Sequence, residues 1–274
     1  MANLFSNKNE FIITIEVVPP QGSCGDDILE KLSSLEKLSF NGFSVASNPV
    51  AKSKMSAMVF SHLIQKITGK PAILHCTIRD HNRLGLQSEL WGAKALGIDT
   101  VIAVTGDPSA SGADTPAQFV ADLSVFELIT LIKDSNFYTG AVLDFRPEIN
   151  GLDHEIRRLE KKIAAGCQFA VTQPLYDKDT AQAVLNGTDH LKIPVIMGIL
   201  PLLSYKHARF LHDKVDGIAI PKSVQQQMEK SENPLNYGVS QAKEMLDMAK
   251  TMFSGACIMP AFDRYEILKD ILSC

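Results

Sequence analysis

The feature that most constrains this chain is an alternation that runs its whole length. Short, continuously apolar runs are separated by longer amphipathic stretches. The runs are FIITIEVV (11–18), GFSVAS (42–47), AILHCTI (72–78), TVIAVTG (100–106), YTGAVLD (138–144), FAVTQPLY (169–176) and PVIMGIL (194–200), followed by GIAIP (217–221) and ACIMPAF (256–262). Most lack polar alternation, the pattern of parallel strands covered on both faces. The stretches between them read as helices. DDILEKLSSLEKL puts Ile28, Leu32 and Leu35 on one face, with Asp26 as the expected N-cap. EIRRLEKKIAAG turns Ile156, Leu159 and Ile163 inward and stops at Gly166, and LQSELWGAKALGI stops at Gly97. Strand then helix, repeated about eight times, predicts an α/β fold of the (β/α)8 barrel type, with a doubly wound open sheet as the rival. More runs are present than a barrel has places for, and GIAIP is the shortest and weakest of them.

At 274 residues the chain suits one barrel domain spanning 1–274. Its most polar stretch, PKSVQQQMEKSENPLNYG (221–238), reads as a surface helix and loop. A net charge of −4 gives no general attraction for nucleic acid or an anionic membrane. The five cysteines, Cys24, Cys76, Cys167, Cys257 and Cys274, are scattered, odd in number and without CxxC. That argues against a disulfide framework or a cysteine-rich zinc site, and fits a reducing cytoplasmic setting. The start, MANLFSNKNEF, lacks the apolar core of a signal peptide, and no apolar run reaches the ~18 residues of a membrane span. GxGxxG, GxxxxGK[ST] and HExxH are absent, so no Rossmann site, P-loop or such metal site is expected.

In a barrel the working residues sit at the C-terminal ends of strands and in the loops after them. The polar residues there are Glu16, Ser47, Asn48, His75, Thr77, Arg79, Asp80, Thr105, Asp107, Asp144, Gln173, Tyr176, Asp177, Ser204 and Tyr205. Any one of them is more often a helix cap or a loop anchor than a reacting group. Convergence on one rim is what raises their interest. Glu16 stands out because it closes an apolar strand ahead of Pro19 and Pro20. An apolar setting would raise its pKa and make it a general acid; a buried glutamate paired with a cation is the other reading, and the residues leave both open. The tripeptide GDP at 106–108 combines a glycine that permits close approach with an acceptor, Asp107. His75 alone reads as a core histidine, and Arg79, Arg83 and Lys162 as surface charges that could also meet phosphate.

Together, IEVVPP, HCTIRDHNRLGLQSELWGAKALGIDTVIAVTGDP, FAVTQPLYD and IPVIMGILPLLSYKHARFL, in this order, resemble the methylenetetrahydrofolate reductase family from about residue 10 to 272. With VDGIAIP and GACIMPAFDRYEIL, the likeness is nearest to the reductase module of bacterial fusions with homocysteine S-methyltransferase. The resemblance implies a (β/α)8 barrel that holds FAD non-covalently and reduces 5,10-methylenetetrahydrofolate to 5-methyltetrahydrofolate, with hydride passing from the flavin N5 to the folate methylene carbon. It implies Glu16 as the acid for ring opening, Asp107 beside flavin and pterin, and Gln173 with Tyr176 on the folate. It also implies His75, Thr77, Gly106, Glu155 and Lys162 as flavin contacts, with Ser47 and Asn48 near a further contact. Val17 and Val18 replace the paired phenylalanine of many members, and Thr105 stands where some have arginine. LDFRPEINGLD replaces a Tyr-Pro-Glu-x-His-Pro motif after strand five. That change, and the lack of a methyltransferase counterpart, keep a second reading: a folate-binding subunit without reductase activity of its own. The electron donor stays open among NADH, NADPH and a protein partner. Partners stay open between a homo-oligomer and an electron-transfer or methyltransferase protein.

Overall fold

The structure is a computed structural model that describes residues 4–5, 7, 10–107, 118–120, 122–144, 151–215 and 217–273. Eight strands, β1 (Ile12–Val17), β2 (Gly42–Val45), β3 (Ala72–Thr77), β4 (Thr100–Val104), β5 (Tyr138–Leu143), β6 (Phe169–Pro174), β7 (Val195–Ile199) and β8 (Gly255–Ile258), form a closed barrel in sequence order. All neighbours are parallel, and β8 closes on β1 with Ile12 opposite Gly255 and Thr14 opposite Cys257. The fold is the expected (β/α)8 barrel.

Parallel pairing demands a crossover after each strand, and the crossovers here are helices. They are α1 (Asp26–Ser33), α2 (Ala57–Thr68), α3 (Arg83–Ala95), α4 (Val125–Asp134), α5 (Leu152–Ala165), α6 (Lys178–Thr188) and α7 (Tyr205–Lys214). After β7 the chain adds α8 (Lys222–Lys230) and α9 (Pro234–Met252), and after β8 it ends in α10 (Leu268–Leu272). Several loops finish in a capping side chain. Asn82 bonds the Gly85 N–H at 2.9 Å, Asp177 the Thr180 N–H at 2.8 Å and Ser204 the His207 N–H at 3.1 Å, while Ser124 and Glu127 form a reciprocal capping box. So Asp177 and Ser204 act at the rim as caps.

Alternation along each strand separates two cores. Outward residues such as Ile15, Val17, Phe43, Val45, Leu74, Val101 and Met197 pack under the helices. Inward residues at the base of the barrel are also apolar: Ile12, Ile73, Ile102, Phe169, Val171 and Ile196. Phe5, from the segment before β1, plugs this end. Its ring stacks 4.4 Å from Phe169 and 5.0 Å from Tyr138, centroid to centroid. Gly140 makes room for the Phe169 ring, which a Cβ there would overlap. Towards the C-terminal ends the same inward face turns polar, with Thr14, Glu16, Ser44, His75, Thr77 and Gln173.

Two local expectations differ from the structure. GIAIP is not a strand. It is an irregular strap between α7 and α8, where Gly217 takes a φ of +89° that leaves the extended region, and Pro221 precedes α8. Asp26 is not the N-cap of α1. Gly25 holds that place, and Asp26 and Asp27 lie in the first turn, where their charge complements the helix dipole. The polar stretch 221–238 holds α8 and the first turn of α9, as a helix and loop would. Gly166 and Gly97, at φ of +122° and +77°, end α5 and α3 as expected.

Removing the plug tests this packing. Phe5→Ala should cost about 3 kcal/mol, as for other buried phenylalanines. Urea unfolding should show a lower midpoint with an unchanged slope; a loss under about 1 kcal/mol would show that the ring does not carry the barrel base.

Candidate active site

Glu16 lies on β1 one residue before its end, with Ser44 of β2 as its register partner. Its side chain faces the barrel axis among Thr14, Ser44, Cys257 and the nearby Tyr265, whose ionisation its charge opposes. A sliver of its surface stays open to solvent, yet the site is deep enough that burial alone pushes its pKa up to about 7. No described cation pairs with it. The arrangement is a carboxyl that keeps its proton close to neutrality, and the alternative of a salt-bridged core glutamate does not apply.

One strand further on, His75 and Thr77 of β3 face inward beside Ile102 and Val104 of β4. His75 Nε2 lies 2.8 Å from Ser44 Oγ, and burial pushes its pKa down to about 4, so the ring is neutral. Thr77 donates its hydroxyl to Asp80 Oδ2 at 3.0 Å, and Asn48 Nδ2 donates to the same oxygen at 3.1 Å. Arg79 closes this group with a fork to Asp80, Nε to Oδ1 at 2.7 Å and Nη2 to Oδ2 at 2.8 Å. Burial would raise Asp80, but the hydrogen bonds from Arg79, Asn48 and Thr77 and the guanidinium charge outweigh it and hold the carboxyl below its ordinary range. The bond to Asp80 likewise keeps Arg79 fully charged, although only 5% of its surface is exposed.

The loop after β4 carries Thr105, Gly106 and Asp107 at the rim. Thr105 and Asp107 are exposed, and Gly106 adopts φ +86° against the Arg79 side chain. Asp107 Oδ2 accepts the Val50 N–H at 2.6 Å, which joins this loop to the one after β2 that holds Ser47 and Asn48. Across the mouth, Gln173 Nε2 donates to Asp144 Oδ1 at 3.3 Å, and Gly217 of the strap packs on that amide so closely that a Cβ would lie 2.9 Å from Nε2. On α5, Glu155 and Lys162 are buried on one face. Lys162 Nζ donates to the Val142 carbonyl at 2.6 Å, and burial lowers its pKa. Glu155 Oε2 is buried with no hydrogen-bond partner.

The barrel therefore brings Glu16, His75, Thr77, Gln173 and Asp107 to one mouth. It does not bring Tyr176 there. That ring sits in an apolar cluster with Leu202, Ala208, Leu211 and Ile220, its hydroxyl buried and unpartnered. It lines a cavity of about 220 Å3 beside the mouth, between the strap and the β6–α6 turn. Sequence reasoning treated Arg79 as a surface charge and passed over Ser44. The signal for Arg79 was its place two residues past β3, next to an acid. Residues 145–150 of the altered loop after strand five lie outside the described residues. Among those described, no group of histidine, cysteine or acidic side chains could hold a metal ion, and no helix is long and apolar enough to cross a membrane.

A parallel barrel with a protonated carboxyl at the C-terminal mouth has the build of a barrel enzyme. The family model for methylenetetrahydrofolate reductase matches residues 2–261, and the chain belongs to that family. It is 27% identical over 222 residues to 5,10-methylenetetrahydrofolate reductase of Salmonella typhimurium, covering 76% of this chain and 70% of the relative. The Escherichia coli enzyme of the same name is also 27% identical, over 225 residues, with coverage of 76% and 70%. A probable methylenetetrahydrofolate reductase (NADPH) of Caenorhabditis elegans is 24% identical over 82% of this chain, which spans only 35% of that relative. Among solved structures, an uncharacterized Clostridium thermocellum protein that binds two copies of 5-methyl-5,6,7,8-tetrahydrofolic acid superposes with a TM-score of 0.69 at 19% identity, over 96% of this chain and 94% of that one. A 2,3-dimethylmalate lyase matches at 0.55 and 11% identity, over 93% and 78%. At these identities the two structures speak for the fold alone.

Glu16 gives stability a pH dependence of fixed sign. The folded chain keeps this proton to about pH 7, whereas the unfolded chain releases it near 4.5. The native state thus binds the extra proton, and stability falls as pH rises through that window. Glu16→Gln removes the penalty. The variant should be about 1–3 kcal/mol more stable than the parent at pH 8 and equal to it below pH 4.5. Denaturation curves at the two pH values measure this, and an equal gain at both would contradict the raised pKa.

Proposed function

We propose that the chain is a single-domain, flavin-dependent methylenetetrahydrofolate reductase that converts 5,10-methylenetetrahydrofolate to 5-methyltetrahydrofolate. Membership of the family supports reduction of a folate. The observation that carries the finer reading is Glu16, an unpaired carboxyl in the mouth that holds its proton to about pH 7. Such a group can donate to the N10 nitrogen as the carbon–N10 bond of the five-membered folate ring breaks. The methylene carbon is left as an iminium on N5, ready to accept a hydride. Glu16 becomes a carboxylate in the process, and Asp107 offers a second negative charge to the cationic folate. Gln173 is placed to hold the pterin edge through its amide, with Tyr176 supporting the β6–α6 turn behind it. His75, held neutral against Ser44, adds no competing positive charge.

The chain's residues fit FAD on one specific point. Glu155 presents a buried carboxylate oxygen with no partner, which suits a hydroxyl of the cofactor. Lys162, Thr105, Gly106, Thr77, Asn48 and Ser47 complete the proposed contacts. FAD, when bound, supplies the hydride, after reduction by NADH, NADPH or a protein partner. The motif likeness to the reductase module of methyltransferase fusions favours a methyltransferase or electron-transfer protein as partner, with a homo-oligomer the other arrangement. Among the described residues, Cys24 is free and exposed and Cys76, Cys167 and Cys257 are free and buried, which supports a cytoplasmic setting.

The purified chain should be yellow. Its flavin should bleach under NADH or NADPH without oxygen and recover its colour when methylenetetrahydrofolate is added. A folded, colourless chain that cannot be loaded with FAD would sink this reading. Glu16→Gln should keep flavin and lose at least about a hundredfold in folate-dependent turnover, the usual worth of a general acid.

A further inference from the structure

We propose that Arg79 is a positioning residue for this site, the clasp that sets Asn48 and Asp107 relative to one another at the mouth. The inference rests on the reading of Asp107 as a group that faces folate and flavin. Its warrant is geometric. The guanidinium makes four hydrogen bonds that span the loops after three strands: two to Asp80 after β3, one to the Asn48 carbonyl after β2 at 3.2 Å, and one to the Asp107 carbonyl after β4 at 3.2 Å. An ion pair with a purely local task would need only Asp80. The two carbonyl bonds instead fix the main-chain path of the neighbouring loops, and the Asn48 and Asp107 side chains add their own bonds to Asp80 and to the Val50 N–H.

Three further observations point the same way. The loop after β2 carries Asn48, Val50 and Ala51 in the left-handed region, at φ of 44°, 50° and 56°. Side chains with a branched Cβ resist that conformation, and it persists only where surrounding bonds over-determine it. Two such bonds come from this group: Arg79 to the Asn48 carbonyl, and Asp107 Oδ2 to the Val50 N–H. Gly106 is the space that admits the clasp, because a Cβ there would lie 2.9 Å from the Arg79 Cβ. The segment that follows is tied in as well, since the Arg79 carbonyl accepts the Val120 N–H at 3.0 Å. Lysine cannot replace the function. It keeps the charge but has no planar fork, and one ammonium cannot meet a carboxylate side-on and two carbonyls in different directions.

The test uses the full chain and the variants Arg79→Lys and Asp80→Asn. Asp80→Asn weakens the fork while leaving the two carbonyl bonds, and it serves if the lysine variant does not fold. Amide exchange is read over residues 50–52 and 105–107 against the barrel strands, alongside FAD affinity and the KM and kcat for methylenetetrahydrofolate. Arg79→Lys should speed exchange at the Val50 amide at least about tenfold with strand protection unchanged, and weaken FAD affinity or raise KM by roughly tenfold, the scale of one lost charge-assisted bond. Asp80→Asn should move the same readouts in the same direction, by less. Unchanged loop exchange in the folded variants, or a lower melting temperature with exchange, affinity and KM untouched, would overturn the clasp. If the parent chain bound neither FAD nor folate, the proposed function would fail, while loop exchange would still decide whether Arg79 holds the loops together.

Discussion

The pairing of β8 with β1 is the constraint on which the mouth depends. Ile12 to Ile15 lie opposite Gly255 to Ile258, and that ladder turns an open parallel sheet into a ring. Closure puts the C-terminal end of every strand on one rim and denies the inward residues any exit except along the axis. Glycine at 255 permits the approach, because a Cβ there would run into the Ile12 carbonyl. Glu16 sits four residues beyond this contact. Its environment is decided by the ring rather than by its neighbours in sequence.

Within the ring the inward face changes character from base to mouth. The base is filled with stacked aromatic rings and branched aliphatics, and it excludes water. Above it comes a layer of threonine, serine, cysteine and a neutral histidine that offers hydrogen bonds but no positive charge. The Arg79 guanidinium is spent on Asp80 at the β2–β4 side. Glu16 therefore meets low dielectric without a described counter-charge to offset it, and burial pushes its pKa up to about 7. The site separates two kinds of carboxylate by environment: Glu16 is protonated in the layer beneath the rim, and Asp80 is locked as an anion within it.

Much of this was legible in the apolar runs. A strand buried on both faces must be apolar at nearly every position, so the chain announced its strands by continuity, and the one glutamate inside such a run stood out. GIAIP misled because it has the composition of a short buried strand. It is apolar because it packs against α7 and α8, and Gly217 turns it away from the sheet. Tyr176 misled for a related reason: the residue just past a strand end can point out under the helices as readily as into the mouth, and composition does not say which. Arg79 stood among the rim candidates but was read as a surface charge because arginine is usually exposed, and only the three-loop arrangement shows why a guanidinium is worth burying here.

The sequence by itself determined the eight-fold alternation of strand and helix, the apolar strand that isolates Glu16, and the glycines that stop α3 and α5. Each of these follows from local periodicity or from the conformational freedom of one residue. The tertiary structure decided which acid keeps its proton and which is clamped as an anion, which polar residues are caps and which face the mouth, and where Arg79 spends its charge. Those outcomes depend on distances between residues roughly thirty or more positions apart, such as Asn48 to Asp80 and Val50 to Asp107. Such distances exist only once the barrel has closed, because pairwise electrostatics and burial are set by position in space and not by spacing along the chain.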